Sequence, residues 1–177
     1  MGSIAGDAFL SRFRWQDGHA DVWRAFEDGP TFAAVVDGLV DPWINAGITR
    51  VVGVESRGFL LGGAVALRLG VGFQAVRKAG ALFPGRKLTV AADRDYRGAA
   101  HELSLRETLT SSDVVLMVDD WAERGSQAAA VRQLVELTGA RFAGVSLIVD
   151  QLEPESRLGL VRVTALVTAA DLGDPDA

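Results

Sequence analysis

The chain has 177 residues and a formal net charge of −5, from 18 Lys and Arg against 23 Asp and Glu. This length predicts one domain, and the negative charge argues against a general nucleic-acid binder, which needs excess basic side chains to meet phosphates. The absence of cysteine excludes disulfides, thiolate nucleophiles and cysteine-based metal sites. No apolar run reaches the roughly 20 residues of a membrane span, and the N-terminus lacks the pattern of a signal peptide. We therefore expect a soluble, cytoplasmic protein that acts on neither nucleic acid nor membrane.

The pattern of apolar residues predicts helices and strands in alternation. A short helix is expected over residues 7–13, and a longer one begins at Pro30 and runs to about Ala46, where Gly47 ends it. Further along, strands are expected over 48–54, 72–78, 101–107, 113–119, 141–150 and 161–168, with helices over 58–70 and 126–138. Residues 79–100 are rich in Gly, Asp and Arg and contain no predicted strand. This alternation is typical of an α/β fold with a parallel sheet between helices, whose ligands bind at the carboxyl ends of the strands.

Two adjacent carboxylates, Asp119 and Asp120, follow a continuous apolar strand, and Gly125 and Ser126 then open a helix. A glycine at a helix N-terminus lets backbone N–H groups converge on an anion, which the helix dipole also favours. Carboxylates so close to a bound phosphate make sense where they accept hydrogen bonds from a vicinal diol. The motif therefore predicts a cradle for ribose 5-phosphate; the alternative is a strand end with solvated acids before an ordinary helix cap.

Charged residues also stand at the ends of two neighbouring predicted strands. Arg57, in the segment from Glu55 to Gly58, lies between strand and helix, where an arginine can clamp a phosphate bidentately. The alternative there is a surface loop with an internal pair between Glu55 and Arg57. Arg77 and Lys78 end the next strand, either as a second cationic group or as a solvated tip. A parallel sheet would bring all three motifs together.

The segments VVGVESRGF and VVLMVDD, with the Arg77-Lys78 strand end between them, resemble the adenine phosphoribosyltransferases, which are type I phosphoribosyltransferases. The resemblance covers roughly residues 20–152. It implies the type I phosphoribosyltransferase fold, a mainly parallel twisted sheet flanked by helices, in a single domain over 1–177. It also implies a small N-terminal hood that binds the base over 1–30, a core over 48–170 and a flexible flap over 82–100.

The resemblance further implies roles for individual residues. Asp119 and Asp120 match the acids that hold the ribose hydroxyls of phosphoribosyl pyrophosphate, and Asp95 falls on the flap as a catalytic candidate that manages the proton on the base. The loop around the 5-phosphate is matched by Glu123, Arg124, Gly125, Ser126 and Gln127. The groups around pyrophosphate are Arg57, which is also a catalytic candidate, Arg77 and Lys78, and those around the base are Val22, Trp23, Arg24 and Gln151. A Mg²⁺ ion held through pyrophosphate, with no direct protein ligand, and a homodimer are implied as well.

The chain departs from the family pattern at several positions. The usual loop reads Ala-Thr-Gly-Gly-Thr, so Gln127 replaces a hydroxyl that would touch phosphate, although its amide N–H could still donate. Ala81 stands where a lysine is expected, which weakens the pyrophosphate clamp unless Arg86 or Lys87 substitutes for it. The flap acid Asp95 is one methylene shorter than the usual glutamate.

The expected reaction moves ribose 5-phosphate from phosphoribosyl pyrophosphate to a purine-type base, with adenine as the first candidate, and releases pyrophosphate. Gln151 falls where the family usually has an apolar residue. It either favours a base with an additional polar substituent or points to solvent while Leu152 covers the base. Two alternatives follow from the departures: a phosphoribosyltransferase for a different base, and a regulatory protein that binds phosphoribosyl pyrophosphate without catalysis.

Overall fold

The computed structural model describes residues 3–78, 80, 84–92 and 101–174, apart from the side chain of His101. Its first part is a hood over residues 4–27. The hood consists of helix α1 (Ile4–Arg12), strands β1 (Arg14–Gln16) and β2 (His19–Asp21), and helix α2 (Trp23–Glu27). The two strands form an antiparallel hairpin, which the sequence pattern does not predict because three-residue strands carry too little alternation.

Helix α3 (Gly29–Val40) follows the hood and packs into the same core. The prediction that this helix reaches Ala46 is wrong, because the α-helix gives way to a 3₁₀ turn over Asp41–Trp43. Pro42 has no N–H to donate to the preceding turn, and its ring collides with that turn. Regular α-helical geometry therefore stops before the proline.

Within the described residues, the rest of the chain forms a seven-stranded sheet. Its strands are β3 (Arg50–Val54), β4 (Gly72–Lys78), β5 (Lys87–Ala92), β6 (His101–Arg106), β7 (Val114–Ala122), β8 (Arg141–Asp150) and β9 (Val163–Thr168). They lie in the order β5-β6-β4-β3-β7-β8-β9. Neighbours from β4 to β9 run parallel, while β6 is antiparallel to both β4 and β5. The predicted mainly parallel sheet is confirmed.

Helices cover both faces of this sheet, as the alternation of elements predicts. The remaining helices are α4 (Arg57–Leu69), α5 (Ser126–Leu137) and the short α6 (Pro154–Leu158). On one face, α1, α3 and α4 bury side chains such as Phe9 and Leu61 against the strands. On the other face, α5 buries Leu134. The sheet therefore lies between two apolar layers, and its strand ends are positioned rigidly.

The sequence pattern assigns no strand to residues 79–100 and favours an edge strand over 101–107. Instead β5 lies within residues 79–100 and forms the edge of the sheet, with β6 inside it. Each of the six β5 residues pairs with β6, so this edge of the sheet is defined by a partner strand that local sequence pattern cannot reveal. Residues 93–100, which belong to the predicted flap, lie outside the described residues.

Strand β7 is longer than predicted and includes both acids. Aspartate disfavours strands in general, which is why the pattern predicts an end at Asp119. Pairing with β8 carries the strand further, with Asp119 opposite Leu147 and Ala122 opposite Asp150. The two acids thus lie inside a strand rather than beyond its end.

The turn from β3 into α4 lies close against its own strand. A β-carbon on Gly53 would overlap the carbonyl group of Gly58, and a β-carbon on Gly58 would lie 3.2 Å from Oδ1 of Asp119. These two glycines permit a close backbone approach that places the start of α4 next to β7.

Gly53→Ala is expected to destabilise the protein, because the backbone at Gly58 cannot move aside as a flexible side chain can. Overpacking of this kind typically costs ~1–3 kcal/mol, so the urea midpoint of unfolding should fall. Gly63→Ala is the matched control, since Gly63 lies in α4 with open space where a β-carbon would stand, and alanine is favoured over glycine in a helix by about 1 kcal/mol. Equal midpoints for the two variants would contradict the close approach.

Candidate active site

The carboxyl ends of three neighbouring parallel strands form one cleft. These strands are β4, β3 and β7, and they carry the three charged motifs. The cleft has a volume of about 320 Å³, and its lining side chains come from all three motifs and from the hood. They are Trp23, Glu55, Ser56, Arg57, Lys78, Asp119, Asp120, Trp121 and Gln127. This is the place where parallel α/β folds bind ligands.

Asp119 and Asp120 line the cleft as buried carboxylates, each 5% exposed. Oδ1 of Asp119 accepts a hydrogen bond from the Asp120 amide at 3.0 Å, and Oδ2 accepts one from Nε2 of Gln127 at 2.7 Å. Burial raises the pKa of Asp119 well above that of an ordinary aspartate, and the Asp120 carboxylate raises it further, whereas Arg57 opposes the rise. The alternative of solvated acids at a strand end is therefore wrong.

Arg57, the first residue of α4, reaches the second acid. Its Nε lies 2.9 Å from Oδ2 of Asp120, in an ion pair that is not aligned as a hydrogen bond. The alternative of an internal pair with Glu55 is not the arrangement found, because Glu55 accepts hydrogen bonds from Nε of Arg77 and from the Lys78 amide, both at 3.0 Å. Arg57 thus contacts the acids of β7, while Glu55 holds the end of β4.

The two cations at the end of β4 differ in position. Lys78 lines the cleft. Arg77 contacts Glu55 and lines a separate cavity with Arg50 and Arg106. Of the two residues predicted to bind pyrophosphate at this strand end, Lys78 therefore lies in the cleft with Arg57, and Arg77 lines the other cavity.

The loop after β7 lines a second cavity, of about 180 Å³. All five predicted phosphate-loop residues line it: Glu123, Arg124, Gly125, Ser126 and Gln127. Gly125 has a φ of +74°, a conformation that favours glycine. Because α5 begins at the next residue, the cavity lies at a helix N-terminus, where backbone N–H groups have no helical partners. Asp119, Trp121 and Gln127 line both cavities, which therefore adjoin.

Of the four predicted base-binding residues, Trp23 is the one found among the described side chains that line the cleft. The Val22 side chain is fully buried in the core. Arg24 is exposed and lines neither cavity. Gln151 is also exposed, and its Oε1 accepts a hydrogen bond from Nε1 of Trp121 at 2.8 Å.

Trp121 lines the cleft although the sequence motifs do not single it out. It stands two residues after Asp119, so the period of a strand places both side chains on one face of β7. The sequence could predict this position for Trp121 only if the predicted strand continued past Asp120. The Trp121 ring meets the edge of Trp15 in the hood, with ring centroids 6.3 Å apart. The cleft therefore has aromatic side chains from both the hood and the sheet.

Asp95 and Ala81 lie outside the described residues, so the role of Asp95 on the flap stays a prediction. Arg86 forms an exposed ion pair with Glu107 at 3.0 Å, and neither Arg86 nor Lys87 lines the cleft. Across the described ranges, no helix combines the length and apolar character that crossing a bilayer requires. In the same ranges, no three His, Asp or Glu side chains are grouped to hold a metal ion.

Asp119→Asn is expected to stabilise the folded protein at neutral pH. A carboxyl group whose pKa is higher in the folded than in the unfolded chain makes the fold lose stability as the pH rises between the two values. The amide carries no such charge. The free energy of unfolding of the variant, relative to wild type, should therefore increase above about pH 4. It should stop increasing once the pH exceeds the pKa of Asp119 in the folded protein, and the total increase should be about 1.4 kcal/mol for each unit by which folding raises that pKa.

Urea unfolding at a series of pH values measures this difference. Asp37→Asn is the control, because Asp37 is an exposed acid on α3, and its difference from wild type should not grow in this way. A difference at Asp119 that is independent of pH would contradict the prediction.

No family model matches the chain. It is similar to an adenine phosphoribosyltransferase of Streptomyces coelicolor, with 43% identity over 130 residues, which are 73% of this chain and 70% of that protein. The solved structure of adenine phosphoribosyltransferase from Rhodothermus marinus matches with a TM-score of 0.82 and 26% identity, over 93% of this chain and 98% of that chain. The enzyme from Giardia lamblia, solved with 9-deazaadenine, matches with a TM-score of 0.83 and 27% identity, over 95% and 98% of the two chains. Given this identity over more than two thirds of both sequences, and the shared fold, the chain belongs to the adenine phosphoribosyltransferase family of type I phosphoribosyltransferases.

Proposed function

We propose that this chain transfers ribose 5-phosphate from phosphoribosyl pyrophosphate to adenine and releases pyrophosphate. The observation that carries the proposal is the buried pair Asp119 and Asp120, which lies between Arg57 and the glycine loop that opens α5. The cleft thus offers acceptors for a diol and cations for a pyrophosphate, and the adjoining loop cavity offers backbone donors for a phosphate. The family also implies a homodimer in the cytoplasm, and both are part of the proposal.

Asp119 and Asp120 accept hydrogen bonds from the ribose hydroxyls in this proposal. Ionised carboxylates can only accept, so they repel a phosphate and favour hydroxyl groups. The 5-phosphate binds instead at the N-terminus of α5, where unpaired N–H groups and the helix dipole favour an anion. The loop over residues 123–127 surrounds it in this proposal, which the shared lining of the two adjoining cavities supports.

Arg57 and Lys78 are the cations proposed to bind pyrophosphate, since both line the cleft. Arg77 enters the proposal only as the partner of Glu55, which fixes the strand end that carries Lys78. Two positively charged side chains next to the leaving pyrophosphate stabilise the negative charge that develops on it.

Mg²⁺, which the family implies, suits the carboxylate oxygens that line this cleft. The ion would be held through the oxygens of pyrophosphate, with no direct protein ligand. When bound, it supplies positive charge to the leaving group.

The transfer breaks the bond from C1′ to the pyrophosphate oxygen and forms a bond from C1′ to a base nitrogen, through an oxocarbenium-like state. The chain contributes position and charge rather than a covalent intermediate. The acids of β7 hold the sugar while Arg57 and Lys78 hold the leaving group. Asp95 is proposed to manage the proton on the base, and the flap over 82–100 to exclude the water that would hydrolyse the donor.

The base is proposed to stack on Trp23, which is 46% exposed at the cleft. Gln151 acts on the base pocket through Trp121, because its amide oxygen accepts the indole N–H of that residue. An indole N–H is a donor only, so the Gln151 oxygen is used for this bond. We therefore propose an indirect effect of Gln151 on the base in place of a direct contact; the hydrogen bond to Trp121 supports this.

Pyrophosphate release from phosphoribosyl pyrophosphate, measured with a panel of bases, tests the proposed function. Adenine should give a higher initial rate than hypoxanthine, guanine or xanthine. Calorimetric binding of the sugar donor without release of pyrophosphate for any base would favour the regulatory alternative. A higher rate with another base would favour a transferase of different specificity.

The same panel separates the roles of two base-pocket residues. Trp23→Ala should lower the affinity for every base by a similar factor, because stacking is worth ~1–3 kcal/mol whichever base is bound. Gln151→Leu should change the ranking among bases, because it removes the partner that orients Trp121. An unchanged ranking in Gln151→Leu would show that this orientation does not affect specificity.

Arg57→Ala should lower kcat by roughly 10- to 100-fold, since a hydrogen bond to a charged group is typically worth ~1.5–3 kcal/mol. Arg57→Lys should recover little of this loss, because an ammonium group cannot reproduce the planar fork of a guanidinium. Arg68→Ala, on the exposed face of the same helix, is the control and should keep full activity. Full activity in Arg57→Lys would show that the bidentate clamp is wrong.

A further inference from the structure

Gln127 is the second residue of α5, at the position where the family loop has a hydroxyl that touches phosphate. Its side chain does not behave as a substitute for that hydroxyl. Nε2 of Gln127 donates to Oδ2 of Asp119 at 2.7 Å, so the amide is committed to the acid of β7. The chain has exchanged a phosphate contact for a contact with the ribose-binding carboxylate.

This hydrogen bond restricts how Asp119 can turn. Its other oxygen, Oδ1, accepts from the Asp120 amide at 3.0 Å, so each oxygen has one donor within the protein. A carboxylate oxygen can accept about two hydrogen bonds, which leaves one acceptor position on each oxygen for a ligand. With both oxygens held, the plane of the carboxylate is set before any sugar arrives.

The two acids are held differently. Asp120 faces Arg57, a group that the proposed reaction also uses for pyrophosphate. Asp119 instead accepts a hydrogen bond from the neutral amide of Gln127. The donors that hold its two oxygens are therefore neutral N–H groups, separate from the guanidinium that is proposed to bind pyrophosphate.

We propose that Gln127 is a positioning residue that orients the Asp119 carboxylate for the ribose hydroxyls, and that the 5-phosphate is held by the backbone of the loop without this side chain. The inference rests on the proposed function, because it names the residue that determines ribose recognition within the same cleft. It predicts that Gln127 contributes to the recognition of hydroxyl groups and not of phosphate.

Calorimetry with ribose 5-phosphate and its 2,3-dideoxy analogue separates these two contributions. Gln127→Leu, which removes the donor at similar size, should lower the affinity for ribose 5-phosphate by about 2- to 12-fold, the range expected when one typical hydrogen bond to the sugar is lost. The affinity for the dideoxy analogue should not change, since it has no hydroxyls for Asp119. Gln133→Leu, an exposed glutamine on the same helix, is the matched control and should change neither value.

The pH profile of ribose 5-phosphate binding gives a second measurement that a merely structural role would not move. A donor to a carboxylate favours its charged form, so Gln127→Leu should move the acid limb of the profile to higher pH. Gln133→Leu should leave the limb where wild type has it. Unfolding curves for all variants establish that the comparison is made on folded protein.

The outcomes separate the inference from the proposed function. If wild type and Asp119→Asn both bind the two sugars alike, the ribose cradle itself is wrong, and the inference falls with it. If Asp119→Asn loses the preference for ribose 5-phosphate while Gln127→Leu keeps it with an unmoved pH profile, the function stands and the role of Gln127 is overturned. An equal loss for both sugars in Gln127→Leu would show that its side chain serves the phosphate, which also overturns the inference.

Discussion

Two adjacent carboxylates are buried near the carboxyl end of β7, and the groups around them compensate for their negative charge. A carboxylate removed from water is strongly disfavoured unless donors or cations meet it. Asp119 meets two N–H donors and Asp120 meets Arg57. The compensation is partial for Asp119, whose pKa burial still raises. The groups that allow these acids into the fold also determine which of their oxygens are available to a ligand.

Close backbone packing brings the cation to the acids. Because Gly53 and Gly58 have no side chains, the turn after β3 lies against its own strand, and α4 begins beside β7. Arg57 is therefore delivered to Asp120 by the main chain, and not by a long reach of its side chain alone. Glu55 completes the arrangement by holding the end of β4 through the Lys78 amide. The carboxyl ends of β4, β3 and β7 are thus connected, because Glu55 contacts Arg77 and Arg57 contacts Asp120.

The mainly parallel sheet, the helices on both faces and the cleft at the strand ends were predictable, because they follow from hydrophobic alternation and from motif spacing. What the sequence could not provide were the contacts that cross between elements. The extension of β7 past Asp119 depends on pairing with β8. The partner of Glu55 is Arg77 rather than Arg57 because of where β4 ends. The burial of Val22 depends on the hood packing onto the core.

Trp121 accounts for one departure from the family pattern, the one at Gln151. It lines both the cleft and the loop cavity, it meets the ring of Trp15 in the hood, and it donates to Gln151 after β8. A large ring in this place needs an acceptor for its indole N–H, and Gln151 supplies one where the family usually has an apolar residue. The unusual Gln151 therefore has a partner in Trp121. In the same way, Gln127, which also departs from the family pattern, has a partner in Asp119, so each of these two amides hydrogen-bonds with a side chain that lines the cleft.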